Sequence, residues 1–218
     1  MTIYQTITAL TKARETGKSI VVIEPVILDQ WRTPDVMKLA YRVFVEDDIG
    51  SLPILADALQ DAGCENLEIL MSCQTGEMTP DAVAVVEAVL TTPEVDRFFQ
   101  DFIRAALWSS NDEDGIPLDE SHDVEDIEPS TRVLMKAECV EFYTKNRHDI
   151  ETACLKVHDD NGPEGQAGYD FWMTRHGHGV GFWETNDWEE KAGERLTVSA
   201  GKYEEWYLYV EDGAIYGN

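Results

Sequence analysis

Arg175-His176-Gly177-His178-Gly179-Val180-Gly181 sets two imidazoles at i and i+2 in a glycine-rich run. Two rings at that spacing share a face of an extended chain, where they can serve as acid and base or as two ligands of one metal. Two ligands do not complete a metal site, and His148, His158, Asp170 and Glu184 are the candidates for a third. Arg175 and Asp170 place a cation and a carboxylate nearby. One functional reading is therefore a small hydrolytic or metal-dependent enzyme built on His176, His178, Arg175 and Asp170. The plainer alternative makes both histidines turn residues, with no metal and no cofactor.

Two other motifs fail on spacing. Thr16-Gly17-Lys18-Ser19 has the Gly-Lys-Ser of a phosphate-binding loop, but the glycine required upstream falls on Lys12, and a strand rather than a helix is expected next. Asp112-Glu113-Asp114-Gly115 has part of a calcium loop, yet with Gly115 in the glycine position the first and last ligands fall on Ser110 and Ser121. The four cysteines, Cys64, Cys73, Cys139 and Cys154, are scattered and read as reduced thiols.

The stronger signal is charge. The 218 residues carry 17 Lys and Arg against 43 Asp and Glu, a formal charge of −26. Residues up to Arg42 are net +2 and the rest −28. Asp112, Glu113, Asp114, Asp119, Glu120, Asp123, Glu125, Asp126 and Glu128 are nine carboxylates in an 18-residue stretch without Lys or Arg. Such a field repels nucleic acid and attracts basic protein surfaces, so direct nucleic-acid binding is excluded. Carboxylates on a rigid surface can stand in for phosphates, which suggests a DNA mimic. The blander account is a charge that only keeps the protein soluble. No apolar run approaches the ~20 residues of a membrane span, and Met1-Thr2-Ile3-Tyr4 does not open like a secretion signal, so the expectation is a cytoplasmic protein without membrane contact.

The elements that must position these residues follow from caps and periodicity. Thr2 to Thr16 reads as a helix stopped by Gly17, and Ile20 to Ile23 as a buried strand. Thr33-Pro34-Asp35, Thr79-Pro80-Asp81 and Thr92-Pro93-Glu94 each have an N-cap followed by Pro at the first helical position, and each precedes an apolar stripe. Leu52 to Gly63 and Leu67 to Gln74 read as a helical hairpin. Asp114-Gly115 and Pro117 keep the acidic stretch a loop, and Pro129-Ser130 opens the next helix. His158 to Gly168, rich in Asp, Gly and Pro, reads as a linker. Beyond it, Tyr169–Arg175 and Val180–Glu184 read as a hairpin across the histidines, Asn186 or Asp187 caps a helix to about Ala200, and Glu205–Val210 pairs with Ala214–Tyr216 around Asp212-Gly213. From Tyr169 onward lie 11 of the 21 aromatics, suited either to a stacking platform or to the core of a small unit.

Three stretches resemble an uncharacterised family of bacteriophage-encoded accessory proteins. They are Leu52-Pro53-Ile54-Leu55-Ala56-Asp57-Ala58-Leu59-Gln60-Asp61-Ala62-Gly63-Cys64; Ala106-Leu107-Trp108-Ser109-Ser110 with Asp112 to Asp119; and Asp170-Phe171-Trp172-Met173-Thr174-Arg175 with Gly177 to Trp183, closed by Asp212-Gly213-Ala214-Ile215-Tyr216. The resemblance brings no established activity. It implies a phage origin, action in the host cytoplasm and a non-virion role, and it favours a protein that binds and inhibits a host factor.

The sequence thus predicts an α+β protein. A mainly helical body over 1–157 carries one buried strand and the acidic loop at 111–128, and a linker at 158–168 leads to a small aromatic-rich ββαββ unit over 169–218. The leading functional expectation is an inhibitor of a host DNA-binding or defence enzyme, in which the nine carboxylates from Asp112 to Glu128 contact a basic, nucleic-acid-binding surface. The histidine-based enzyme is the alternative.

Overall fold

A computed structural model of the chain describes residue 23, residues 25–157 and residues 160–217. The expected helix over 2–16, nearly all of the expected strand over 20–23, the Gly17-Lys18-Ser19 motif and His158 lie outside the described residues. The chain divides into two compact units, one running to Thr92 and the other from Pro93.

In the first unit, helices α1 (Pro34–Val45), α2 (Leu52–Asp61), α3 (Leu67–Gln74) and α4 (Pro80–Leu90) pack on one another. The Thr33-Pro34 and Thr79-Pro80 signals act as the sequence predicts. The Thr33 hydroxyl accepts from the Val36 N–H and the Thr79 hydroxyl from the Ala82 N–H, each satisfying a donor that a helix start leaves open. Asn66 does the same for Glu68 and Ile69 at the start of α3. At the other end of α4, Arg32 donates to the carbonyls of Val89 (3.1 Å), Ala88 (3.2 Å) and Thr91 (2.8 Å), a cation placed on the negative end of the helix dipole. Val36, Ala40, Val43, Leu55, Leu59, Cys73, Val85 and Val86 are all buried in the core of this unit.

The second unit consists of α5 (Pro93–Ser109), α6 (Pro129–Ala153), α7 (Gly162–Arg175), α8 (Glu190–Ala200) and a hairpin of β1 (Leu208–Glu211) and β2 (Ala214–Gly217). Among the described residues the fold is α+β: mostly helical, with one small antiparallel sheet at the C-terminal end. Tyr209 pairs with Tyr216 and Val210 with Ile215, and the reversal passes through Asp212 (φ 50°) and Gly213 (φ 81°), as an Asp-Gly turn requires.

One expectation is overturned. The span 162–175, read as linker followed by strand, is the helix α7, and residues 180–184 form no strand, so the ββαββ unit is replaced by two helices and one hairpin. The reason lies in how α7 is buried. Residues 164–168, 170–173 and 175 are all buried, so no apolar stripe marks a helical period. Its glycines are packing residues. A Cβ on Gly168 would lie 1.9 Å from the Phe98 carbonyl oxygen, so the absence of a side chain is what lets α7 lie against α5. Around this contact Phe98, Phe102, Phe142, Phe171 and Phe182 form a single aromatic core, with Phe142 and Phe171 stacked at 4.0 Å between centroids.

Among the described residues no helix is long and apolar enough to cross a membrane.

Candidate functional site

The four residues of the histidine-based reading serve two separate arrangements. His176 is the C-cap of α7, and its ring stacks on Trp172 at 3.8 Å. Its Nδ1 lies 2.8 Å from the Trp172 carbonyl, and its Nε2 accepts from the Trp206 N–H at 3.0 Å. Nε2 also lies 3.2 Å from the Trp206 carbonyl, and burial holds the His176 pKa below the ordinary histidine value despite the Trp172 and Trp206 carbonyls, which favour the protonated ring. Arg175 is more enclosed, its side chain only 1% exposed. It pairs with Glu138 at 2.7 Å, donates to the Glu204 carbonyl, and packs against the rings of Phe171 and Tyr203. Glu138 also accepts from the Trp206 indole at 2.8 Å. Arg175 and His176 therefore fasten residues 204–206 to α7 and α6. The His178 ring lies 6.2 Å from that of His176. Among the described residues, no group of three His, Cys, Asp or Glu side chains is arranged to hold a metal.

Asp170 belongs to the other arrangement. It is buried, and its Oδ2 accepts from Gln166 Nε2 at 2.9 Å and from the Trp188 indole at 2.7 Å. With Asp101, Arg104, Gly165, Gln166, Tyr169, Val180 and Asp187 it lines a cavity of about 420 Å³ that neither histidine reaches. Asp101 is buried on α5, accepts from Asn161 at 2.8 Å and pairs with Arg104. Gly165 makes room for it, since a Cβ there would lie 2.1 Å from the Asp101 carboxylate. Tyr169 has its pKa raised by burial and by the neighbouring Asp170 charge. Asp101 and Gln166 have no place in the sequence reading, which gives Asp187 only as a candidate helix cap. The signal for Asp101 was available: a carboxylate set between Phe98 and Phe102 within an otherwise apolar stripe.

The acidic segment is fixed in place from within. Leu118 and Ile127 are buried, and Ile127 forms a parallel bridge to Ile215 of β2, where the Glu128 N–H donates to the Ile215 carbonyl at 2.8 Å. Four of the nine carboxylates hold the backbone. Asp112 accepts from the N–H groups of Asp114 and Ile116, both at 2.9 Å. Asp123 and Asp126 form a reciprocal capping box, and Glu128 accepts from Thr131 at 3.1 Å. The other five, Glu113, Asp114, Asp119, Glu120 and Glu125, are exposed and make no hydrogen bond or ion pair among the described residues. The segment also borders a groove of about 680 Å³ lined by Phe99, Ile103, Leu107, Arg132 and Lys136 as well as Asp119, Asp123 and Glu125.

No family model, curated protein or solved structure matches this chain.

Proposed function

We propose that this is an acidic binding protein, phage-encoded and acting in the host cytoplasm, that inhibits a host DNA-binding or defence enzyme by occupying its basic, nucleic-acid-binding surface. One observation carries the reading: the division of labour in residues 112–128, where Asp112, Asp123, Asp126 and Glu128 hold the backbone while Glu113, Asp114, Asp119, Glu120 and Glu125 face solvent unpaired. Carboxylates already held in position lose little conformational freedom on meeting a basic surface, and unpaired ones lose no internal partner. That is the arrangement a phosphate mimic needs, because the attraction replaces the electrostatic contribution of the DNA backbone. The phage origin and the host target rest on the resemblance of residues 52–64, of 106–110 with 112–119, and of 170–175 with 177–183 and 212–216.

The test is affinity capture from bacterial lysate at low and high salt, with the wild-type protein and the variant Glu113→Gln/Asp114→Asn/Asp119→Asn/Glu120→Gln/Glu125→Gln as parallel baits. A nucleic-acid-binding protein held by the wild type at low salt, released at high salt and missed by the variant is the expected result. The same proteins on both baits would refute the reading.

A further inference from the structure

We infer that the groove between Trp183 and α8 docks a basic amphipathic segment of the partner protein, taking one apolar side chain against Trp183 and Val198 and a lysine or arginine against Glu190 and Glu194; the inference rests on the reading of a basic partner. The groove has a volume of about 540 Å³, room for one or two large side chains, and Phe182 and Trp188 lie beneath it in the core.

Two glycines build it. A Cβ on Gly193 would lie 2.3 Å from the Phe182 carbonyl oxygen, so its absence seats α8 directly on the 182 backbone. A Cβ on Gly181 would lie 3.0 Å from two ring atoms of Trp183, so the indole rests against that glycine. Trp183 is nevertheless 41% exposed, and Val198 is 67% exposed. Glu190, Glu194 and Val198 follow one another at i, i+4 and i+8, which puts two carboxylates and an apolar side chain in one row on α8. Neither carboxylate has a hydrogen bond or ion pair among the described residues. Arg195, adjacent to Glu194, is committed to Asp149 by two bonds of 2.8 and 2.6 Å.

Charge decides the occupant. A second copy of this chain would bring another −26 against an acidic rim, and a nucleic acid would bring phosphates. A lysine or arginine gains from the carboxylates, and an adjacent apolar side chain removes Trp183 and Val198 from water.

The experiment uses the 218-residue chain and two synthetic peptides of about 16 residues, long enough to form helix. One alternates Lys and Leu at helical spacing; the other has the same lysines with every Leu replaced by Ser. Binding is read by fluorescence anisotropy at about 0.15 M salt. The Lys/Leu peptide is expected to bind at least about tenfold more tightly than the Lys/Ser peptide, as a buried apolar anchor should. Trp183→Ala/Val198→Ser should bring that ratio to near one. Glu190→Gln/Glu194→Gln changes only exposed groups and should weaken both peptides while keeping the ratio. The five-amide variant of the acidic segment should leave the ratio unchanged. Equal binding of the two peptides to the wild type, or a ratio unaffected by the Trp183/Val198 change in a variant with native near-ultraviolet circular dichroism, would overturn the inference. A groove that fails this test while salt-dependent capture persists refutes the docking site alone, whereas identical capture by wild-type and five-amide baits refutes the acidic-segment reading.

Discussion

Gly168→Ala should destabilise the second unit, although alanine is the better helix former. Alanine gains about 1 kcal/mol over glycine inside a helix. Against this, its Cβ would sit 1.9 Å from the Phe98 carbonyl oxygen and 2.8 Å from the Phe98 carbonyl carbon, both backbone atoms that no rotamer change can move. Restoring ordinary contact requires α5 and α7 to separate by about 1.5 Å, which loosens the close packing of the Phe98, Phe102 and Phe171 rings. Overpacking of this kind typically costs about 3 kcal/mol at the upper end of its usual range, leaving a net loss of about 2 kcal/mol. Thermal unfolding of the full chain followed by tryptophan fluorescence should then show a Tm lower by roughly 4 to 8 °C. Gly179→Ala is the control: it has nothing within 4 Å of its added Cβ, so its Tm should match the wild type. A Gly168→Ala protein as stable as the wild type would refute the close approach of the two helices, and with it the argument that the α7 glycines are packing residues.

Arg175→Met should cost about 3 kcal/mol, the low end for breaking a buried pair, because Glu138 is 24% exposed and keeps its bond from Trp206 while the Arg175 Nε–H has no partner among the described residues to lose; urea unfolding checks it, and Arg175→Lys should not restore the loss. Burial lowers the His176 pKa, so the unfolded chain takes up this proton at higher pH than the folded one. Its contribution is complete above about pH 6.5 and falls away as the pH drops toward the lower folded value, and the wild type should lose stability relative to His176→Gln between about pH 7.5 and 5.5 in urea midpoints; a constant difference would contradict it. Burial pushes the Cys73 thiol up to about 12, Cys139 well above its ordinary value and Cys154 up to about 11, so a thiol-reactive dye at neutral pH should label the native protein slowly, with half-buried Cys154 first, and reach all four cysteines only in denaturant.

Local chemistry made much of this fold legible. Thr33-Pro34 and Thr79-Pro80 cap helices because the hydroxyl acceptor and the fixed proline φ act within one turn, and Asp212-Gly213 makes its hairpin because both positions need positive φ. Helix α7 was illegible for the opposite reason: Gly165 and Gly168 are there for Asp101 and Phe98, more than 60 residues earlier in the chain, and burial on nearly every side erased the period. The polar cavity was hidden in the same way, since its residues come from α5, α7 and the 180–187 segment. In the acidic segment the sequence showed nine carboxylates; only the structure separates the four that hold the backbone from the five that face solvent.

The central claim is tested most directly by the salt dependence of association between this protein and its captured partner, measured for the wild type and the five-amide variant after equal unfolding midpoints show that both are folded. At about 0.05 M salt the variant should bind at least tenfold more weakly, corresponding to a few tenths of a kcal/mol for each lost charge. Its affinity should also fall less steeply with salt, so that the two curves converge near 1 M. Superimposable curves would contradict the claim that these five carboxylates form the contact surface.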